Sequence, residues 1–120
     1  MGCSFATVTC TGGAMGDEGT LYFMITVDID PEVEDAFNHW YDTKHMPETC
    51  ACPGFVRGWR FRAEHDGEHP RYCAIYEVEH DRVLETPELN AIRGFAQFTE
   101  RVRNLERHWF RTIFVHDPGA

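Results

Sequence analysis

The sequence predicts an α+β domain: a four-stranded antiparallel sheet with two helices on one face, in the order β-α-β-β-α-β. Three observations predict it. Apolar residues alternate along residues 21–29. A cap–Pro–Glu helix start occurs twice, at Asp30-Pro31-Glu32 and at Thr86-Pro87-Glu88. Two further alternating segments flank Asp66-Gly67, a tight-turn signal.

Each element follows in order. Leu21, Phe23, Ile25, Val27 and Ile29 share one face of the first strand, with Tyr22, Met24, Thr26 and Asp28 on the other. Asp30 caps the first helix, Pro31 suits its first position, and Glu32, Glu34 and Asp35 complement its positive end. That helix is expected to run to about Met46, where Pro47 lacks the N–H needed to continue it. At 3.6 residues per turn, Val33, Ala36, Phe37, Trp40, Tyr41 and the stem of Lys44 form its apolar stripe, with His45 on the flank. A loop over 47–54 leads to strands at 55–64 and 71–79. The second helix starts at Thr86, and Leu89, Ile92, Phe95, Phe98, Val102 and Leu105 recur along it at helical spacing. Gly94 is a point where it can bend or split. The last strand is expected over His108 to Val115. This order is the split-βαβ, ferredoxin-like pattern. Two helices cover one sheet face, yet both faces carry apolar residues, so a homodimer through the sheet faces is expected.

The domain is expected over residues 20–116. Residues 1–19, with Gly12, Gly13, Gly16 and Gly19 and no sustained period, read as a flexible tail, and 117–120 as a short C-terminal one. A length of 120 residues with 42 % hydrophobic content suits one folded domain. Asp and Glu total 20 against 11 Lys and Arg, a net charge of −9, which excludes nucleic acid and anionic membrane as primary partners. No membrane span or secretory signal is visible. Cys3, Cys10, Cys50, Cys52 and Cys73 are odd in number and irregular in spacing, which fits free thiols in a reducing cytoplasm.

A set of motifs points to one superfamily. Trp40-Tyr41-Asp42-Thr43-Lys44-His45-Met46-Pro47, then Pro53-Gly54-Phe55, then Arg60-Phe61-Arg62, then Tyr72-Cys73-Ala74-Ile75-Tyr76-Glu77, resembles the EthD-like branch of the dimeric α+β barrel superfamily. The likeness spans about residues 20–116. It implies a homodimer whose two sheets form the barrel, and a pocket in each subunit between sheet and helices. Members include cofactor-free monooxygenases, polyketide cyclases and muconolactone isomerases. The resemblance maps the family's helix-one His to His45.

The residues themselves nominate the same His. Imidazole exchanges protons near neutral pH, and the expected helix C-terminus at His45 favours its charged form. Asp42, three residues earlier, is placed to orient that ring, and Tyr76 to donate a hydrogen bond to a substrate oxygen. These three form the candidate catalytic set. Trp40, Tyr41, Phe37 and Phe23 are candidate walls of the pocket, although aromatic residues at such spacing more often belong to a core. Arg60 is either an anchor for an anionic substrate or half of an ion pair with Glu77, the second being preferred. No GxGxxG, Walker loop, nucleophile elbow or H-E-x-x-H is present, and the His residues lack metal-ligand spacing. Neither cofactor nor metal is therefore expected. The expectation is a cofactor-independent enzyme. It would act on a small apolar metabolite, aromatic or polyketide-like, by His-mediated proton transfer of the isomerase, cyclase, lyase or decarboxylase type. A cofactor-free monooxygenase and a non-catalytic binding protein are the alternatives.

Overall fold

The computed structural model describes residues 16–119. Most of the expected N-terminal tail, residues 1–15, lies outside them. Seven regular elements follow: β1 (Leu21–Ile29), α1 (Glu34–Trp40), α2 (Met46–Cys50), β2 (Phe55–Arg62), β3 (Tyr72–Val78), α3 (Pro87–Asn90) and β4 (Val102–Arg111). The four strands form one antiparallel sheet in the order β2-β3-β1-β4. The helices lie on one face of it, so the α+β, ferredoxin-like reading holds. Among the described residues no helix is long and apolar enough to cross a membrane. The described end of the expected tail is tied down: Gly19 donates to the carbonyl of Thr112, and Thr112 donates to Thr20.

The first helical segment starts as its sequence dictates, with the Asp30 carboxylate accepting from the Glu32 N–H. It does not stop at Met46. After α1 the chain widens into one π turn over Tyr41–His45, then resumes as α2 through Pro47 to Cys50. The Met46 N–H bonds back to the Tyr41 carbonyl, five residues earlier. A π turn shifts the hydrogen-bond register by one residue, which lets a proline sit in a helical path. It also moves His45 from a helix end to the middle of a helical run. Ala36 and Lys44, expected on the apolar stripe, are exposed instead, and Lys44 pairs with Glu48 at 3.0 Å.

The second helix departs most from expectation. The Thr86 hydroxyl caps it as foreseen, accepting from Leu89, but α3 ends at Asn90. Gly94 adopts φ +99° and Ala96 φ +47°, left-handed values that no α-helix passes through. The segment 91–101 is a loop that turns at Gly94 and ends in a 3₁₀ stretch, Ala96–Arg101, and its anchors Phe95 and Phe98 are still buried. Val102 and Leu105, expected at the end of that helix, open β4, which runs to Arg111 rather than from His108 to Val115. A register shift at Thr26/Asp28 marks the β1–β4 ladder. There the buried Asp28 carboxylate accepts from Asn104 Nδ2 at 2.7 Å and from the Arg71 N–H at 2.8 Å, and lies 2.8 Å from His69 Nδ1.

The core lies between the helices and the face carrying Leu21, Phe23, Val27, Tyr72, Ala74, Tyr76 and Val78, with Phe37 fully buried at its centre. Gly58 on β2 is the flat spot that lets α2 approach. A Cβ there would sit 2.4 Å from Met46 Sδ, 3.0 Å from Cys50 Sγ and 3.2 Å from the Tyr76 ring. Met46 can swing aside, but the thiol and the ring are fixed by the elements that carry them. Gly58→Ala is therefore expected to destabilise the domain by about 1–3 kcal/mol, read as a lowered urea midpoint.

Candidate functional site

A cleft enclosing about 460 Å³ of atom-free space, part of it open to solvent, lies between the helical face of the sheet and the 84–95 segment. Phe23, Phe55, Leu89 and Phe95 supply apolar walls, His45, Thr49 and Tyr76 supply polar atoms, and Arg93 and Arg107 add two guanidinium groups. The cleft exists because the second helix is short. A full helix over 87–105 would cover the sheet where the turn at Gly94 leaves it open.

His45 is only 7 % exposed. Its ring lies flat on Trp40, with centroids 4.7 Å apart and planes 13° apart, and edge-on to Tyr41 at 4.9 Å. Among the described residues nothing is hydrogen-bonded to its ring nitrogens. Burial pushes its pKa down from 6.5 to about 4, partly offset by the field of Glu48 and helped by that of Arg60. The expected stabilisation of imidazolium by a helix C-terminus is thus overturned. The helix continues past the ring, and desolvation dominates. His45 is a neutral imidazole at pH 7.

Tyr76 is 1 % exposed, and its hydroxyl lies 3.1 Å from that of Tyr41. Burial raises the pKa of both phenols, so both are protonated at neutral pH. One O–H bonds the other, which leaves the second free to donate elsewhere. The Tyr76 hydroxyl also meets Thr49, so when Tyr41 is the internal donor the Tyr76 proton goes to Thr49 or to an acceptor in the cleft. Thr49 Oγ donates to the His45 carbonyl at 2.7 Å, which fixes the turn that carries the ring.

The structure separates the sequence candidates. His45, Tyr76 and Phe23 line the cleft. Trp40 and Tyr41 touch His45 from behind. Phe37 is a core residue with no exposed surface, not a pocket wall. Asp42 is exposed and bonds Arg60 Nη1 at 2.9 Å instead of orienting His45. The expected partner of Arg60, Glu77, pairs with Arg57 at 3.2 Å on the opposite sheet face. Arg60 in turn lies 4.4 Å over the Tyr41 ring and lines a smaller hollow with Tyr72 and Cys73. Its role is to close the wall behind the tyrosine pair. Thr49, Arg93 and Arg107 were not anticipated. Among the described residues no group of three His, Cys, Asp or Glu side chains is placed to hold a metal ion.

The same architecture occurs in solved structures. HapK from Hahella chejuensis superposes with a TM-score of 0.63 over 81 % of this chain and 96 % of that one, at 14 % identity. A candidate monooxygenase from Shewanella loihica gives 0.62 over 83 % and 100 %, at 10 % identity. An ethyl tert-butyl ether D (EthD) family protein from Bacillus halodurans gives 0.57 over 74 % and 96 %, at 18 % identity. At such identities the likeness is one of fold alone, the α+β, ferredoxin-like fold that the EthD-like motifs implied. No curated protein matches the sequence at a significant level. One family model, a domain of unknown function designated DUF4286, matches residues 20–115, and the chain belongs to that family.

Proposed function

We propose that the cleft binds a small, mainly apolar metabolite and that His45 removes a proton from it without a cofactor. The observation that carries this reading is a neutral, buried imidazole free of hydrogen bonds that lines a cleft beside a protonated phenol. A neutral imidazole is a base, and its hydrogen-bonding atoms are not committed elsewhere. As the carbon acid loses its proton, negative charge develops on an adjacent oxygen, and the Tyr76 hydroxyl is the donor available to it. The resulting imidazolium is costly in this apolar setting, so it returns its proton readily. Returned to another atom of the substrate, the proton completes an isomerisation or cyclisation; given to a departing group as its bond to carbon breaks, it completes an elimination. Deuterium incorporation tests the step directly. Aromatic 1,3-dicarbonyl compounds incubated in D₂O with wild-type protein are expected to exchange their acidic C–H faster than with His45→Gln. Equal exchange with the two proteins overturns the assignment.

A second reading, a cofactor-free monooxygenase, is favoured by the name borne by the Shewanella structure. There the same carbanion would reduce O₂. Oxygen uptake during turnover separates the two readings, and a reaction that proceeds equally without oxygen rules out the second.

The working unit we propose is a homodimer through the sheet face opposite the helices. Tyr22 and Trp59 meet on that face, Phe110 pairs with Tyr22 across the ladder, and Phe61 and Phe110 stand half exposed. Beyond β4, Ile113 and Phe114 are 87 % and 70 % exposed, an extended apolar arm suited to a second copy. Phe110→Glu is expected to convert the dimer to monomer in sedimentation velocity. A wild-type monomer at micromolar concentration overturns this.

A further inference from the structure

We propose that the ligand of this cleft is an organic carboxylate, held at the open side by Arg93 and Arg107 with its apolar body against Phe23, Phe55 and Phe95. The inference rests on the reading of the cleft as a ligand site and adds the chemical class. It starts from charge. The chain carries 20 acidic residues against 11 Lys and Arg. Four arginines elsewhere are answered by carboxylates: Arg57 by Glu77, Arg60 by Asp42, Arg71 by Asp66, and Arg101 by Asp30 at 2.8 Å; Arg62, Arg82, Arg103 and Arg111, among the described residues, make no such pair, but none of them lines this cleft.

The cleft reverses that balance. Two arginines line it, and no Asp or Glu does. Among the described residues, neither Arg93 nor Arg107 has an ion-pair partner. Arg93 Nη1 makes two long contacts of 3.4 Å, to the Leu84 carbonyl and to Asn90 Oδ1. Arg107 stands on β4 opposite Ile25, on the face where Trp109 meets Phe23. The two side chains come from different segments, one from the loop after α3 and one from the edge strand, and both line this cleft. A planar guanidinium matches a carboxylate with two parallel N–H donors. The geometry also orders the ligand. Its charge lies at the arginine side, and its remaining atoms reach inward to His45 and Tyr76. An uncharged His45 adds no third cation to compete for the carboxylate.

The test uses 2-naphthoate and its neutral isostere 2-naphthamide as probes, with calorimetric affinities for the full chain. Wild-type protein is expected to bind the carboxylate about tenfold more tightly than the amide, by the usual worth of a charge-assisted hydrogen bond. Added salt should erode that margin. Arg107→Gln should reduce the preference, and Arg93→Gln/Arg107→Gln should abolish it, the carboxylate losing more affinity than the amide in each variant. Both side chains are exposed, so circular dichroism should show both variants folded. Equal affinities in wild type, or a preference that survives in the double variant, overturn the carboxylate inference and leave the cleft as a ligand site. Failure of both probes to bind overturns the inference together with the reading beneath it.

Discussion

Phe37→Ala is expected to destabilise the domain by about 3–5 kcal/mol, the range for deleting a fully buried aromatic ring. Few positions in this fold have as much to lose. Phe37 has no exposed surface and meets five rings: Phe98 at 5.5 Å, Tyr41 at 5.6 Å, Trp40 at 6.1 Å, and Tyr72 and Phe95 at 6.3 Å each. Those partners belong to α1, the π turn, β3 and the 91–101 loop. One ring thus ties the helical layer to the sheet and to the loop that walls the cleft. The loop has its own 3₁₀ turns over Ala96–Arg101, and Phe95 and Phe98 pin them to the core through this contact. A domain of this size is stable by roughly 5–15 kcal/mol, so the loss is a large fraction of the total. Phe37→Leu keeps most of the volume and should cost less. Urea unfolding of the two variants reads the difference, and a cost below about 1 kcal/mol for the alanine variant contradicts the central place given to Phe37.

Much of this architecture is legible in the sequence, and the exceptions share a cause. Alternation over residues 21–29 places Phe23 and Val27 on the core face because a strand has only two faces. The caps at Asp30 and Thr86 form as written because capping needs only the nearest backbone N–H groups. The length of the second helix is not legible from spacing alone. Phe95, Phe98, Val102 and Leu105 fall three or four apart, which suits a helix. The first two serve equally as anchors of a loop, and the last two as strand residues. Gly94 carries the deciding information, and periodicity ignores it. The helix at Pro47 errs the other way. A proline is read as a stop, but one wide turn accommodates it and so buries His45. The consequence for the site is direct. Asp42 is three residues from His45, the right spacing for a helical neighbour, yet it turns outward to Arg60, a residue far away in sequence. Arg93 and Arg107 lie in the segment whose fold departs from its helical spacing, so no local pattern marks them as neighbours of one cleft.

The acid limb of activity and of stability should report the same group. Loss of His45 as the base is expected to lower the rate by about 10²–10⁴-fold in His45→Gln. The wild-type kcat/KM should stay flat from neutral pH down to about 5 and fall below about 4, because burial holds the ring's pKa at about 4. A solvated histidine would give a fall centred near 6.5. Folding must follow the same linkage. Between pH 6.5 and about 4 the unfolded chain takes up a proton at His45 and the native protein does not. Native stability therefore falls as the pH is lowered through that window, by about 3 kcal/mol in all, and this contribution levels off below it. Asp28 and Asp30, whose carboxyls are held below their ordinary value by their hydrogen bonds, lose their contributions only at still lower pH, in wild type and variant alike. Subtracting the His45→Gln profile from that of wild type isolates the histidine. Its ring C–H resonances should titrate with a midpoint near 4 by NMR. A midpoint near 6.5, or the same acid slope in both proteins, would mean that the ring meets bulk water, and the cleft would then have no neutral base at its floor.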